Sequence, residues 1–488
     1  MDWRAVLSVL SFLLIILALC LVAPLAVSLI YDSQSPYETG EIVGFAVTLA
    51  ICLGLGLWLH YKFRGREKNI GRREGFAIVS FSWIAAVLLG MLPFLISGLL
   101  GLTDAFFETM SGFTTTGASI FGDPGMEIEK IPHGLQFWRC MTQWLGGMGI
   151  VVLSVALLSF LGVGGYRMLK AETPGGVTFE RERPRITDSA KDLWKLYLII
   201  SAMEFVLLKI SGTTIFDAFC HTFTTMSTGG FSPHGNSIAY FGPGTQWIII
   251  VFMFLAGVNF SLHAQAFGLH FGPVARNPEF RLYLGIIGVC IGVGLLVVPY
   301  QGDMEQHVRD VTFQVVAIGT TTGYATADFD AWPQIMRMIL VLLMFVGGCM
   351  GSTGGGMKVA RFLIYAKALM RELHRLIYPH AVRPVRIGDK VMEPGIVSNI
   401  LSFGVVWVAT FLFGAIVMAF CGYDLVSSLS ASVAAVGNIG PGLGAVGPMT
   451  NWAHLPDAVK WIMGVLMLLG RLEIFSVLIL FTKWAWKK

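Results

Sequence analysis

The stretch FTTTGAS at 113–119 decides how this chain is read. Three threonines and a glycine follow DAFFETMSG and precede the loop GDPGMEIEKIP, after which the chain turns apolar again. In a water-soluble protein such a run is an ordinary polar turn. Here the surrounding sequence is mostly hydrocarbon, so small polar residues between apolar runs need a physical reason.

Of the 488 residues, 55 % are hydrophobic and 13 % charged, against about a quarter charged in ordinary globular chains. Mean hydropathy is +0.71. Long apolar runs recur from AVLSVLSFLLIILALCLVAPLAVSLIY at 5–31 onward, and runs above roughly 18 residues read as bilayer spans. The first is too long for a secretory leader and has no evident small-residue cleavage site. The chain is therefore expected to be an all-α polytopic membrane protein. A net charge of +4, with the basic residues in short loops, points to no nucleic-acid partner. The seven cysteines are scattered singly, with neither a CxxC pair nor metal-ligand spacing, and read as small buried hydrophobes.

Ten spans are expected near 5–31, 41–61, 77–100, 138–162, 193–212, 245–271, 281–300, 334–368, 396–422 and 458–486. Lys and Arg then fall on alternate connections: HYKFRGREKNIGRREG at 60–75, the segment 163–195, GPVARNPEFR and 367–390. The positive-inside rule puts both termini in the cytoplasm and FTTTGAS on the outer side.

Four outer connections repeat one plan, an aspartate leading through a partly apolar segment to a glycine. They are DAFFETMSGFTTTG (104–117), DAFCHTFTTMSTG (217–229), DVTFQVVAIGTTTG (310–323) and DLVSSLSASVAAVG (424–437), the second one residue shorter than the others. Their glycines Gly117, Gly229, Gly323 and Gly437 recur at a spacing that fits span, segment, span, four times over. Each segment is too short to cross a bilayer and fits a re-entrant half-helix. The aspartate is expected to cap its start and the glycine to end it. Non-helical backbone at membrane depth must be buried or line a water-filled cavity. Four such segments around one axis aim backbone carbonyls inward, where they replace the hydration shell of a monovalent cation.

With these motifs on the page, the chain resembles the Trk/Ktr/HKT superfamily of potassium transporters over residues 77–488. The resemblance implies four pseudo-repeated span–pore half-helix–span units around one central pore. The units are expected at 76–165, 190–272, 280–378 and 395–488, and the N-terminal two-span unit at 1–75 is similar to that of the TrkH/TrkG branch. It implies filter glycines at Gly117, Gly229, Gly323 and Gly437, K+ at the filter carbonyls, and further filter positions at Thr115, Thr116, Ala118, Thr228, Gly230, Thr321, Thr322, Tyr324, Val436 and Asn438. Serine at the first glycine accompanies sodium permeation in plant-type relatives, so Gly117 favours potassium. The fourth repeat departs from the threonine-rich pattern with AAVGNIGPG, which makes the filter asymmetric. The resemblance further implies an inner-membrane potassium uptake permease of a bacterium, a homodimer, and a TrkA-like cytoplasmic nucleotide-binding partner.

The eighth span is interrupted by GGCMGSTGGG at 347–356. Gly347, Gly348, Gly351, Gly354, Gly355 and Gly356, with Ser352 and Thr353, cannot hold a continuous helix at about 1 kcal/mol per glycine relative to alanine. GSTGGGMK lacks the Gly-Lys-Ser/Thr end of a phosphate loop. A small-residue helix crossing is one reading, and a flexible gating loop below the filter, which the resemblance also implies, is the other. In the last span Arg471 lies at membrane depth with Glu473 two residues on. Such charges usually face a polar interior, and residues two apart point to different sides, which leaves Glu204 as another possible partner. A structural ion pair and a pore-tuning charge are the two readings of Arg471. His263 and His270 lack the spacing and acidic company of a metal site, and the glycines at 146–149 read as close packing. A sodium or weakly selective cation permease remains the alternative within transport. An intramembrane enzyme lacks its nucleophile–base or metal constellation, and a receptor or scaffold has no use for four filter-like segments.

Overall fold

Inside a bilayer every backbone N–H and C=O needs an internal partner, and that alone turns the apolar runs into helices. The computed structural model describes residues 1–31, 38–64, 71–122, 126–160, 186–300, 302–381, 383–388 and 390–486. The N-terminal unit is a helix pair, α1 (Trp3–Ile30) and α2 (Glu38–Phe63), with the Asp2 carboxylate accepting from the Arg4 N–H at 3.0 Å to start α1. Four units of one plan follow. The first comprises α3 (Arg72–Gly90), a short continuation α4 (Leu92–Ile96), the half-helix α5 (Leu102–Phe113) and the return helix α6 (His133–Phe160). The second has α7 (Ile186–Ile210), the half-helix α8 (Ile215–Met226), a return in two pieces, α9 (Pro243–Ala256) and α10 (Phe260–Phe267), and the connecting α11 (Phe271–Arg276). In the third, α12 (Pro278–Val297) leads to the half-helix α13 (Met304–Gly319) and then to α14 (Gln334–Val346) and α15 (Val359–Ile377). After a two-residue antiparallel ladder, β1 (Arg386–Ile387) with β2 (Lys390–Val391), the fourth unit is α16 (Pro394–Phe420), the half-helix α17 (Leu425–Val436), α18 (Asp457–Arg471), α19 (Phe475–Leu478) and α20 (Lys483–Trp486).

Among the described residues five helices are long and apolar enough to cross a membrane on length and composition, and two bent pairs raise this to seven. The other segments expected to span are also helical, as α6, α7 and the broken α14–α15. The return element is interrupted in three units rather than one. α9 and α10 meet at 105°, and α18 meets the segment after it at 107°. The segments 245–271 and 458–486, expected as continuous spans, are therefore bent. The cause is local in each case. Asn259 caps α10 by accepting from the Ser261 N–H at 2.8 Å, which competes with helix continuation. Glu473 and Ile474 adopt left-handed backbone, φ 55° and 51°. His263, seen from sequence as packing, hydrogen-bonds the Leu255 carbonyl at 2.8 Å and braces the first bend.

Only one of the four repeat aspartates caps its half-helix. Asp424 accepts from the Val426 and Ser427 N–H groups at 3.1 and 3.2 Å. The others lie inside helices that begin earlier, because Gly101, Thr214 and Asp303 take the cap position. Asp104 instead receives the Lys460 ammonium at 2.7 Å, and Asp217 accepts from Thr214 Oγ1 at 2.7 Å and meets His234 Nε2 at 3.0 Å.

Close helix approach ties the N-terminal pair to the first unit. A Cβ on Gly40 would fall 2.7 Å from the Ser97 carbonyl and one on Gly44 3.0 Å from that of Pro93. Trp138, wholly buried, donates its indole N–H to the Gly90 carbonyl at 2.9 Å and meets Phe113 edge-on. The two chain ends meet as well: Trp3 stacks on Trp486 with centroids 5.6 Å apart.

Candidate functional site: a ring of carbonyls and the loop beneath it

All four half-helices end at the centre of the molecule in the same way. Past each C-terminus the second residue turns left-handed, at Thr115 (φ 53°), Thr228 (54°), Thr321 (63°) and Asn438 (54°). Its N–H returns to a helix carbonyl three residues back, on Gly112, Thr225, Ile318 and Ala435 respectively. The next residue donates five back, from Thr116, Gly229, Thr322 and Ile439 to Ser111, Thr224, Ala317 and Ala434. Then comes a left-handed glycine: Gly117 (φ 80°), Gly230 (80°), Gly323 (78°) and Gly440 (95°).

These glycines close a ring. A Cβ on Gly117 would lie 2.1 Å from the Gly229 carbonyl, one on Gly230 2.0 Å from that of Thr322, and one on Gly323 1.8 Å from that of Ile439. One on Gly440 would lie 2.7 Å from the Thr116 carbonyl, which returns to the first unit. Each unit thus presents a carbonyl to the bare glycine of its neighbour, and only glycine combines this φ with this approach. The half-helix C-termini point at the same centre and add partial negative charge.

This geometry shifts the register read from sequence in two units. The left-handed glycine of the second is Gly230, not Gly229, and that of the fourth is Gly440, not Gly437. Gly437 has φ −81° and caps α17, the level of Thr114, Ser227 and Thr320 in the other units. Val436 belongs to the last helical turn, while Ile439 and Gly440, unanticipated, stand in the strand that contributes to the carbonyl ring. A signal was present for the second unit: Gly230 lies thirteen positions after Asp217, as Gly117 does after Asp104 and Gly323 after Asp310. No such signal existed in the fourth unit, where the aspartate sits one turn earlier on its helix.

Side chains buttress the strands from behind. Asn438 donates to Thr116 Oγ1 at 3.0 Å and to the Met467 carbonyl at 2.9 Å. The Tyr324 hydroxyl is buried against Thr224 Oγ1 (2.5 Å) and Thr225 Oγ1 (3.2 Å). Ala118 is buried just beyond the first glycine. Behind the first two strands Glu108 and Arg139 form a buried ion pair, Oε1 to Nε 2.5 Å. Its spare valences are filled: Glu108 accepts from the Ile120 N–H at 3.0 Å, and Arg139 donates to the Ser232 carbonyl at 3.0 Å and lies 3.7 Å from the Phe231 ring centroid. Arg139→Leu strands the carboxylate in a buried site, an expected loss of about 3–5 kcal/mol. Scanning fluorimetry in detergent should show a clear fall in unfolding temperature, with the exposed Lys130→Ala as an unaffected control.

Of the glycines at 146–149, Gly146 and Gly147 serve close approach, while Gly149 has room for a side-chain carbon. A Cβ on Gly146 would fall 1.9 Å from the Phe113 carbonyl at the end of α5, and one on Gly470 sits 1.9 Å from Val436 in the same relation to α17.

The segment between α14 and α15 packs against the ends of the half-helices and the strands that follow them. Gly347, Gly351 and Gly356 are left-handed (φ 69°, 74° and 70°), and Ser352, Thr353, Gly354 and Gly355 are buried. Its polar groups bind three different units. Thr353 Oγ1 donates to the Met226 carbonyl at 3.0 Å, at the end of α8. The Gly355 N–H donates to Thr321 Oγ1 at 2.6 Å and the Gly356 N–H to the Gly437 carbonyl at 2.9 Å. The Cys349 N–H reaches the Gly257 carbonyl at 2.8 Å, where Gly348 also approaches, and the Met350 N–H donates to Glu279 Oε1 at 2.6 Å.

Of the buried cations beside this loop, two bond carbonyls within 347–356. Arg471, the last residue of α18, donates from Nη1 to the Thr353 carbonyl at 2.7 Å. Lys358, which the sequence reading passed over, bonds the Gly354 carbonyl from a left-handed backbone (φ 73°). Glu473 pairs with Arg361 and not with Arg471. Glu204 is fully buried beside the Thr225 hydroxyl and forms no ion pair with Arg471.

The comparisons agree over nearly the whole chain. The TrkH description, cation transport protein, matches residues 42–281 and 297–486. The potassium uptake protein TrkH of Escherichia coli K12 is 36 % identical over 495 residues, covering all of both chains. TrkG of the same strain is 33 % identical, with 99 % of each chain covered. The crystal structure of the potassium transporter TrkH from Vibrio parahaemolyticus superimposes with a TM-score of 0.88 at 34 % identity, again over all of both chains. With four half-helices, a closed ring of carbonyls and these full-length matches, the chain belongs to the TrkH family of cation transport proteins.

Proposed function

We propose that this chain is a potassium uptake permease that passes dehydrated K+ through the ring at Thr116, Gly229, Thr322 and Ile439. The observation that carries this reading is the closure of that ring, each carbonyl set against the bare glycine of the next unit. Carbonyl oxygens substitute for hydration water around a monovalent cation. The relatives named as Trk potassium uptake proteins support the choice of ion. The chain acts as a transporter and not as an enzyme, with K+ as cargo. The loop 347–356 is its gate and Arg471 tunes cation occupancy beneath the filter. Arg471→Gln removes both the charge and the bond to Thr353, so flux should rise several-fold.

Permease chains in proteoliposomes loaded with potassium should take up tracer rubidium, and sodium loading should support much less. Equal uptake under the two conditions would demote the protein to a general monovalent-cation permease. The fourth unit favours that second reading, since Asn438 and Ile439 replace the threonines of units one and three. In the cell we place the protein in a bacterial inner membrane with both termini cytoplasmic. The family likeness supports a homodimer bound by a TrkA-like nucleotide-binding subunit on the basic inner loops.

A further inference from the structure

The residue before the filter glycine is threonine in the first and third units, and each is braced from within its own strand. Thr116 Oγ1 lies 2.8 Å from Thr114 Oγ1, and Thr322 Oγ1 lies 2.8 Å from Thr320 Oγ1. In the second unit this residue is Gly229, which has no side chain to brace. The vacated volume holds the side chain of Gln143, from α6 of the preceding unit: a Cβ on Gly229 would fall 2.3 Å from its Cδ. The amide spans the strand. Its Nε2 donates to the Gly229 carbonyl at 2.7 Å, and its Oε1 accepts from the Phe231 N–H at 3.1 Å. Gln143 is itself fully buried.

We infer that Gln143 is a specificity-determining positioning residue, a cross-unit brace that sets the direction of the Gly229 carbonyl in the ring. The Gly229 oxygen is the one that faces Gly117, so its orientation is part of the cavity a cation meets. A donor at 2.7 Å fixes that orientation and draws electron density from the oxygen. Neither effect needs Gln143 to touch the ion. Ser227 stands where Thr114 and Thr320 stand in the other units. A threonine at 229 would therefore find the same hydroxyl partner if Gln143 were absent.

The inference rests on the pore reading above, and the experiment separates the two. Rubidium and sodium entry into proteoliposomes is measured for the wild type, Gln143→Met, Gln143→Glu and the double variant Gly229→Thr with Gln143→Gly, glycine being needed because the Cβ of residue 143 itself lies 2.9 Å from a Cβ at 229. Selective entry in the wild type upholds the pore reading, and its absence overturns that reading first. Gln143→Met preserves length and loses both bonds. Gln143→Glu preserves shape and the acceptor for Phe231 and loses the donor to Gly229 once ionised, so its ratio is read at a pH where the carboxylate is charged. Each is expected to lower the rubidium-to-sodium ratio by about tenfold, the factor that one buried hydrogen bond supplies, while ion entry continues. The double variant should recover most of the ratio by rebuilding the brace of the first unit. A selective wild type with an unchanged ratio in whichever single variant folds overturns the inference. So does a folded double variant no more selective than the singles.

Discussion

Gly323→Ala should collapse potassium selectivity, with the rubidium-to-sodium ratio falling by at least about tenfold in proteoliposomes. Two independent terms act at this position. Left-handed backbone (φ 78°) costs a residue with a Cβ roughly 1–2 kcal/mol. The new methyl would also lie 1.8 Å from the Ile439 carbonyl, so that oxygen must turn away from its place in the ring. Relief by moving the whole strand is blocked by Pro441, whose Cδ is 2.7 Å from the same Cβ position. The fourth unit offers the test of register. Gly440→Ala should damage selectivity because it stands at φ 95° against the Thr116 carbonyl. Gly437→Ala should lower the ratio less than Gly440→Ala, because Gly437 is a right-handed helix cap that bears no left-handed strain; its new methyl crowds the Val433 carbonyl (2.7 Å) and Ile439 Cδ1 (2.8 Å), and its carbonyl receives the Gly356 N–H, so the change also reaches the loop. Reversed results for the pair would restore Gly437 to the filter and dismantle the ring described here.

Deleting residues 352–356 should raise potassium flux by about tenfold or more, as expected when a closed state loses its stabilising bonds. The deletion removes the Thr353 hydroxyl from Met226, the Gly355 N–H from Thr321, the Gly356 N–H from Gly437, and the carbonyls held by Arg471 and Lys358. Each neutral bond contributes roughly 0.5–1.5 kcal/mol net and the charged ones more. Flux that is unchanged or lost, in protein that elutes as a single folded species, would remove the gating role and leave the segment as packing. The sign matters for the two cations as well. Arg471 and Lys358 hold loop carbonyls, and under the proposed gating role their charges also oppose a cation beneath the ring, so neutralising either should push flux in the same direction as the deletion.

The sequence by itself determined the helical segments, their grouping into four units and one of the three breaks in the return helices. Those properties are local: hydrocarbon length dictates helices, and glycine clusters such as 347–356 cannot sustain one. The repeated Asp-to-Gly segments also marked all four half-helices. Their starts were misjudged because Thr214 and Asp303 outcompete the aspartates that follow them as caps, a contest decided by where each helix docks. The filter register of the fourth unit was likewise decided only in three dimensions, whereas in the second the thirteen-residue spacing from Asp217 to Gly230, shared with units one and three, already carried it. Gln143 and Gly229 are eighty-six positions apart, and Arg471 finds its partner across more than a hundred. A cavity made of neighbours' carbonyls belongs to no one segment, so tertiary packing alone could say which residues line it.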